Sequence, residues 1–240
     1  MSLPRSVSPG TWRAAGAAAV RFNCPLGAEP ARQRANEFAR RLPAGSTVVD
    51  LGCGRAELLA LVAEAVPGGR GIGIDLVVGP SPHPRVDLVE GDATTWVPPS
   101  SVAGALCIGS THIAGGWAAT WAHLAAWPSL ERVLVADVVW AATPDAETRD
   151  RFGELPAGAA GARSLAEAAG WSVADCSTSS LAEWDEFEQA WCAGVRSLGT
   201  PDAVAFADQR WAIYQAQHRG VLGFAWVLAR RVRSGDGAGW

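Results

Sequence analysis

The 240-residue chain contains no lysine, so every fixed positive side chain is an arginine. Those arginines are outnumbered by Asp and Glu, giving a formal net charge of −4. Without a basic footprint, nucleic acid is not expected as a partner. Cysteine is sparse and scattered: Cys24, Cys53, Cys107, Cys176 and Cys192 form no CxxC pair and no Cys/His cluster. That excludes a recognisable zinc site or disulfide framework and leaves free thiols, as in a reducing cytoplasm. No apolar run reaches the roughly 18–20 residues of a membrane span. No basic segment leads into a short apolar one, so neither a signal peptide nor a membrane partner is expected. The expectation is a cytoplasmic, soluble protein without a metal. Internal repeats and linkers are missing too, and one domain is expected.

What is present alternates between strand and helix. A helix is expected over Glu29–Leu42, with Ala31, Ala35, Phe38 and Leu42 at helical spacing, ended by Pro43 and Gly45. Strands are expected at Thr47–Leu51, Gly71–Leu76, Val86–Val89, Ala103–Ile108 and Arg132–Val139, with helices at Arg55–Val66 and about Gly116–Trp127. The stretch Val77–Arg85 is too rich in proline for a crossover helix. Further on come a helix at Ala159–Ala169, a strand at Trp171–Ser177, and an amphipathic helix at Leu181–Leu198. Its apolar face carries Leu181, Trp184, Phe187, Trp191 and Val195. A second helix runs from Thr200-Pro201 to about His218, and a last strand covers Val221–Ala229. Residues 1–28 show no sustained period. The first ten residues and the tail from Arg230 to Trp240 are expected to fray.

Such alternation builds a parallel sheet covered on both faces, with ligands outside the carboxyl ends of the strands. Those ends carry Asp50, Asp75, Asp92, Ile108 to His112, and Asp137 to Trp140. The stretch Val48–Glu57 reads VVDLGCGRAE, a strand ending in an acid and leading through two glycines into a helix. A dinucleotide loop has a third glycine where this chain has Glu57, and holds a pyrophosphate at the helix N-terminus. Asp50 and Glu57 would oppose that anion and suit a cationic, phosphate-free cofactor.

Asp50-Leu51-Gly52-Cys53-Gly54 resembles motif I of class I S-adenosylmethionine-dependent methyltransferases, with Ala56 at the motif's last glycine. Gly71–Leu76 resembles motif II, Gly91-Asp92-Ala93 motif III, and Cys107–Ser110 occupies motif IV. A narrower likeness, in Cys107–Ala118, is to a bacterial subgroup acting on small molecules. The resemblance implies a Rossmann-like α/β fold. Its seven-stranded, mostly parallel sheet has helices on both faces, an antiparallel last strand and a helical insertion before that strand. Residues 29–178 would form the cofactor core, 1–28 a lid segment, 179–219 a helical cap and 220–230 the last strand. It also implies S-adenosylmethionine as cofactor and S-adenosylhomocysteine as product. Asp50, Gly52, Cys53, Gly54 and Leu76 would bind it, Asp75 would hold the ribose, Asp92 and Ala93 the adenine, and Cys107 and Ile108 the methionine ammonium.

For the reaction, His112 beside the expected methyl group is the candidate base, and Asp137 a candidate to bind a substrate amine or orient His112. Trp117, Trp140, Trp211 and Tyr214 are the candidate pocket lining, and His218 reaches the site only if the insertion folds over it. The implied function is methyl transfer to a small molecule, with secondary metabolism as a setting. Transfer of the cofactor's aminobutyrate chain, binding without turnover and a nicotinamide-dependent oxidoreductase stay open. So does the choice between monomer and homodimer.

Overall fold

The computed structural model describes residues 9–232. Its seven-stranded sheet has the order β3-β2-β1-β4-β5-β7-β6, built from β1 (Thr47–Leu51), β2 (Arg70–Asp75), β3 (Val86–Glu90), β4 (Val102–Ile108), β5 (Arg132–Trp140), β6 (Trp171–Thr178) and β7 (Leu222–Arg231). Strands β1 to β5 pair in parallel, whereas β7 runs antiparallel between β5 and β6. This is the expected Rossmann-like arrangement.

Alternate strand residues feed two cores. Val48, Leu106, Leu134 and Trp226 pack with α2 (Ala28–Ala39) and α3 (Glu57–Ala65) on one face. Val49, Ala105, Val133 and Val227 pack with α4 (Trp117–Ala125) and α6 (Gly158–Ala168) on the other. Between β5 and α6 lies the short α5 (Ala146–Phe152), capped by Asp145, whose carboxylate accepts from the Thr148 N–H. As the prolines of residues 77–85 suggest, no helix joins β2 to β3. All five cysteines are free thiols.

The insertion before β7 is α7 (Leu181–Arg196) and α8 (Pro201–Ile213), followed by a π-helical turn at Tyr214–His218. A capping box between Ser180 and Glu183 starts α7. Leu181 sits at that first position and is exposed, not on the apolar face expected for it. The ends also differ from expectation. Helix α1 (Pro9–Ala19) occupies residues read as aperiodic, and β7 continues to Arg231. The rest of the expected fraying falls on residues 1–8 and 233–240, outside the described residues.

Helix α1 escaped the sequence pattern because its contact face is built from small residues. A Cβ on Gly16 would lie 2.3 Å from the Trp191 ring, and one on Gly194 of α7 would lie 2.3 Å from Ala19 Cβ and 2.7 Å from the Ala15 carbonyl oxygen. Gly194→Leu should therefore lift α1 from α7. The expected result is a stability loss of about 1–3 kcal/mol in urea and new protease cleavage near residues 20–27. Unchanged proteolysis would contradict this packing.

Candidate functional site: a preformed loop beside a capped cavity

The strand order reverses between β1 and β4, which puts a crevice at their carboxyl ends. The loop leaving β1 is held from two sides. The N–H groups of Gly52 and Cys53 both donate to the Ile74 carbonyl, at 2.9 and 3.1 Å. Ser110 Oγ, at the end of β4, donates to the Gly52 carbonyl at 2.9 Å. Gly52 has φ +69°, and a Cβ there would lie 2.5 Å from Ser110 Oγ. Gly54 has φ +53° with open space where its Cβ would be. Ala56, at the motif's last glycine, is the one non-glycine residue with positive φ among the described residues, at 54°.

Asp50 lies beneath this loop at 4% exposure, and its Oδ1 is buried with no hydrogen bond among the described residues. Burial, and secondarily the charge of Asp75, push its pKa from 3.8 up to about 7. A carboxylate stripped of water without a partner is costly. Its environment fits a ligand that brings positive charge or donors.

Asp75, at the end of β2, accepts the Gly54 N–H on Oδ2 at 2.8 Å and the Val77 N–H on Oδ1 at 3.4 Å. Asp92 is exposed after β3, and its Oδ1 accepts from the Thr94 hydroxyl at 2.7 Å and the Thr94 N–H at 2.8 Å. Those bonds hold its carboxyl below the usual range. Beside these acids stand Leu76, Val77 and Val97, at 71%, 77% and 81% exposure, the most exposed large apolar side chains of the described residues. Acids flanked by bare apolar groups suit a flat ligand with polar edges. Ala93 is buried, Cys107 is buried in the core under α4, and Ile108 closes β4 with its carbonyl accepting from Ser110 Oγ. Any role for Cys107 therefore belongs to its backbone.

Glu57 turns out not to be a bare charge at the helix start. It pairs with Arg21 at 2.9 Å, both partners being partly exposed, so it carries less of the argument against a phosphate than Asp50 does. Arg55 also reaches back, donating to the carbonyls of Ala18, Val20 and Arg21. Cys53 Sγ packs where a Cβ on Gly73 would come within 2.7 Å.

Next to the loop, a cavity of about 520 Å³ opens over the ends of β4, β5 and β7, at Gly109, Asp137, Val138, Leu222 and Phe224. The α1–α2 segment closes one side with Arg13, Asn23, Cys24 and Pro25, and α5 closes another with Arg151 and Phe152. The cap contributes Trp184, Phe187 and Glu188 from α7, Phe206, Gln209, Arg210 and Ile213 from α8, and His218 from the π-helical turn. Glu188, 5% exposed, is held by Arg210 in two 2.8 Å bonds, and Arg210 lies 3.9 Å above the Trp191 ring. Cys24 is buried, which raises its thiol pKa and keeps it protonated.

The candidate residues are thus divided. Asp137 lines the cavity, and its Oδ2 accepts from the Thr111 N–H at 2.8 Å and the Thr111 hydroxyl at 2.6 Å while its Oδ1 accepts from the Val138 N–H at 2.7 Å. It therefore orients the 3₁₀ turn Thr111–Ala114 and not the imidazole of His112. His112, exposed on that turn, lies outside the cavity wall. Trp117 is also outside it: its indole is buried against the α4 face and donates to the Val138 carbonyl at 3.0 Å. Tyr214 is buried, donates to Asp185 at 2.7 Å and packs against Trp211 at 5.5 Å, so both serve the inside of the cap. Trp140 stands behind the wall, edge-on to Phe152 at 6.2 Å.

Sequence reasoning missed Arg13, Arg151 and the Glu188–Arg210 pair as cavity groups. One signal was available: a carboxylate at 188 on the apolar face defined by Trp184 and Trp191. His218, by contrast, reaches the site because the insertion does fold over it.

No protein-family model matches the chain, and no curated protein does. Solved structures do. An S-adenosylmethionine-dependent methyltransferase from Geobacter sulfurreducens, in complex with S-adenosyl-L-homocysteine, is 23% identical with a TM-score of 0.77 over 92% of this chain and 98% of that one. YjhP from E. coli is 22% identical, with a TM-score of 0.76 over 92% and 99%. An S-adenosylmethionine-dependent methyltransferase from Thiobacillus denitrificans, also with S-adenosyl-L-homocysteine, is 23% identical, with a TM-score of 0.72 over 97% and 100%. The chain has the fold of class I S-adenosylmethionine-dependent methyltransferases. Among the described residues, no helix is long and apolar enough to cross a membrane.

Proposed function

We propose that the chain is an S-adenosylmethionine-dependent methyltransferase whose acceptor is a small molecule held in the cavity beneath α7 and α8. The observation that carries this reading is Asp50, a buried carboxylate with an unpartnered oxygen under a rigid glycine loop. Of the cofactors such a fold takes, one that is cationic and free of phosphate relieves that charge, whereas a pyrophosphate aggravates it.

When bound, the cofactor supplies a methyl group activated by a sulfonium. Asp50 and the Gly52-Cys53-Gly54 loop hold its methionine end together with the backbone of Cys107 and Ile108. Asp75 accepts from the ribose hydroxyls, Leu76 covers the adenine, and Asp92 with the Ala93 backbone reads the adenine edge. The division of labour is a cofactor core over residues 29–178, a lid over 9–28 and a cap over 179–219. Because methyl transfer is an in-line displacement, the chain's contribution is placement and exclusion of water. The half-open cavity between the cap and the strand ends supports the placement.

Asp75→Ala tests the reading. Its carboxylate is only partly buried and already anchors Gly54. Calorimetric titration with S-adenosylhomocysteine should show binding weaker by about 1–3 kcal/mol with little change in melting temperature. Unaltered affinity would remove Asp75 from the site.

A further inference from the structure

Arg55, directly after the glycine loop, turns its guanidinium to the lid. It donates to the Ala18 carbonyl at 3.3 Å, to the Arg21 carbonyl at 2.8 Å and to the carbonyl of Val20. Ala18 lies in the last turn of α1, which carries no basic residue of its own. Arg55 therefore supplies the positive charge and the donors that the open carbonyls of a helix end favour. Glu57, two residues further on, adds its ion pair to Arg21 at 2.9 Å.

The segment held in this way continues as a wall of the acceptor cavity, at Asn23, Cys24 and Pro25. Its far end is fixed to the cap. The Ser179 hydroxyl donates to the Pro25 carbonyl at 2.6 Å, and Glu183 accepts the Gly27 N–H at 3.3 Å. Residues 20–27 thus form a strap, tied at one end to the cofactor loop and at the other to the start of α7. The loop end is the strained one. Arg55 stands between Gly54 at φ +53° and Ala56 at φ +54°, and a left-handed backbone is unfavourable for alanine. Such a turn persists only where its surroundings over-determine it. The bond from the Ala56 N–H to the Cys53 carbonyl at 2.8 Å holds it from inside, and the three bonds of Arg55 hold it from outside.

We propose that Arg55 is a positioning residue that couples the cofactor loop to the strap, so that filling the loop fixes the wall of the acceptor cavity at residues 23–25. This rests on the methyltransferase reading above. The coupling arises because one guanidinium is shared by two segments. A ligand that needs the loop in its present turn favours the state in which Arg55 is bound to the strap. The effect is reciprocal: an anchored strap raises the loop's affinity for that ligand by the same factor. Arg55 acts through the backbone of the strap and takes no part in the chemistry.

The full chain is titrated calorimetrically with S-adenosylhomocysteine, and chymotryptic cleavage after Phe22 is timed by mass spectrometry with and without saturating ligand. Phe22 is buried, so its cleavage reports opening of the strap. In the native chain the ligand should slow that cleavage about tenfold or more. Arg55 is exposed, and Arg55→Gln should fold with a nearly unchanged melting temperature. It should reduce the slowing to less than about twofold and weaken S-adenosylhomocysteine binding about tenfold, the matching factor that reciprocity requires. Glu57→Gln breaks the pair with Arg21 but keeps Arg55, and should retain the slowing within about twofold. A residue that merely caps α1 behaves differently: its loss speeds cleavage equally with and without ligand and leaves affinity unchanged. That outcome overturns the proposal while the cofactor reading stands. So does cleavage that ligand binding fails to slow in the native chain, or slowing that Glu57→Gln abolishes as fully as Arg55→Gln. No binding of S-adenosylhomocysteine to the native chain overturns the methyltransferase reading, and this coupling with it.

Discussion

Asp50→Asn is expected to make the ligand-free protein more stable at pH 8 while removing most of its cofactor affinity. The native carboxyl is buried and its pKa rises from 3.8 to about 7. Between those values the folded state keeps a proton that the unfolded state has released. The group's contribution to stability is therefore complete below about pH 4 and lost as pH rises through 7. The loss approaches about 4 kcal/mol at pH 8. Asparagine keeps the shape without the charge, although its amide also wants partners, so a gain of about 2–3 kcal/mol is expected. The gain should shrink towards zero near pH 4. Cofactor affinity should fall by about a hundredfold because a buried charge pair is broken. Urea melts from pH 4 to 8, beside titration with S-adenosylhomocysteine, check both halves. A variant less stable than the native chain at pH 8 would show that Asp50 is a structural acid.

Gly52→Val is expected to destabilise the chain by about 3–4 kcal/mol, combining left-handed backbone strain with overpacking. The clash cannot be relieved at a flexible tip, because Ser110 is short and its Oγ is engaged by the Gly52 and Ile108 carbonyls. Gly54→Ala separates structure from binding. At φ +53° it carries strain, but its Cβ meets open space, so the expected stability loss is only about 1 kcal/mol. If the cofactor occupies that space, Gly54→Ala should nevertheless bind S-adenosylhomocysteine at least about tenfold more weakly. Thermal melts and calorimetry distinguish the two. Equal stability losses at both positions would contradict the different roles assigned to them.

The strands were legible because buried parallel strands are continuous apolar runs, as in Thr47–Leu51 and Arg132–Trp140. The antiparallel direction of β7 came only through resemblance, since its sequence looks like any other buried strand. Helix α1 stayed hidden because Ala15, Gly16 and Ala19 fit under Trp191 and Gly194 through smallness, which no hydrophobic period records. At the loop, the sequence carried the charge of Asp50 but not its isolation. Whether a carboxylate is partnered depends on Ile74, Ser110 and Asp75, which arrive from elsewhere in the chain. The same holds for the acceptor side. His112 is near motif IV in sequence yet sits on the exposed face of its turn, whereas His218 is far away in sequence and lines the cavity. A π-helical turn moves a side chain by geometry that spacing alone does not reveal.

The central claim is that the loop at Asp50 holds a cationic, phosphate-free cofactor. Parallel calorimetric titrations of the native chain with S-adenosylmethionine and with NADH at pH 7.5 test it most directly. Saturable one-to-one binding of S-adenosylmethionine and none of NADH is expected. Saturable binding of NADH, with S-adenosylmethionine producing no heat and no displacement, would contradict it.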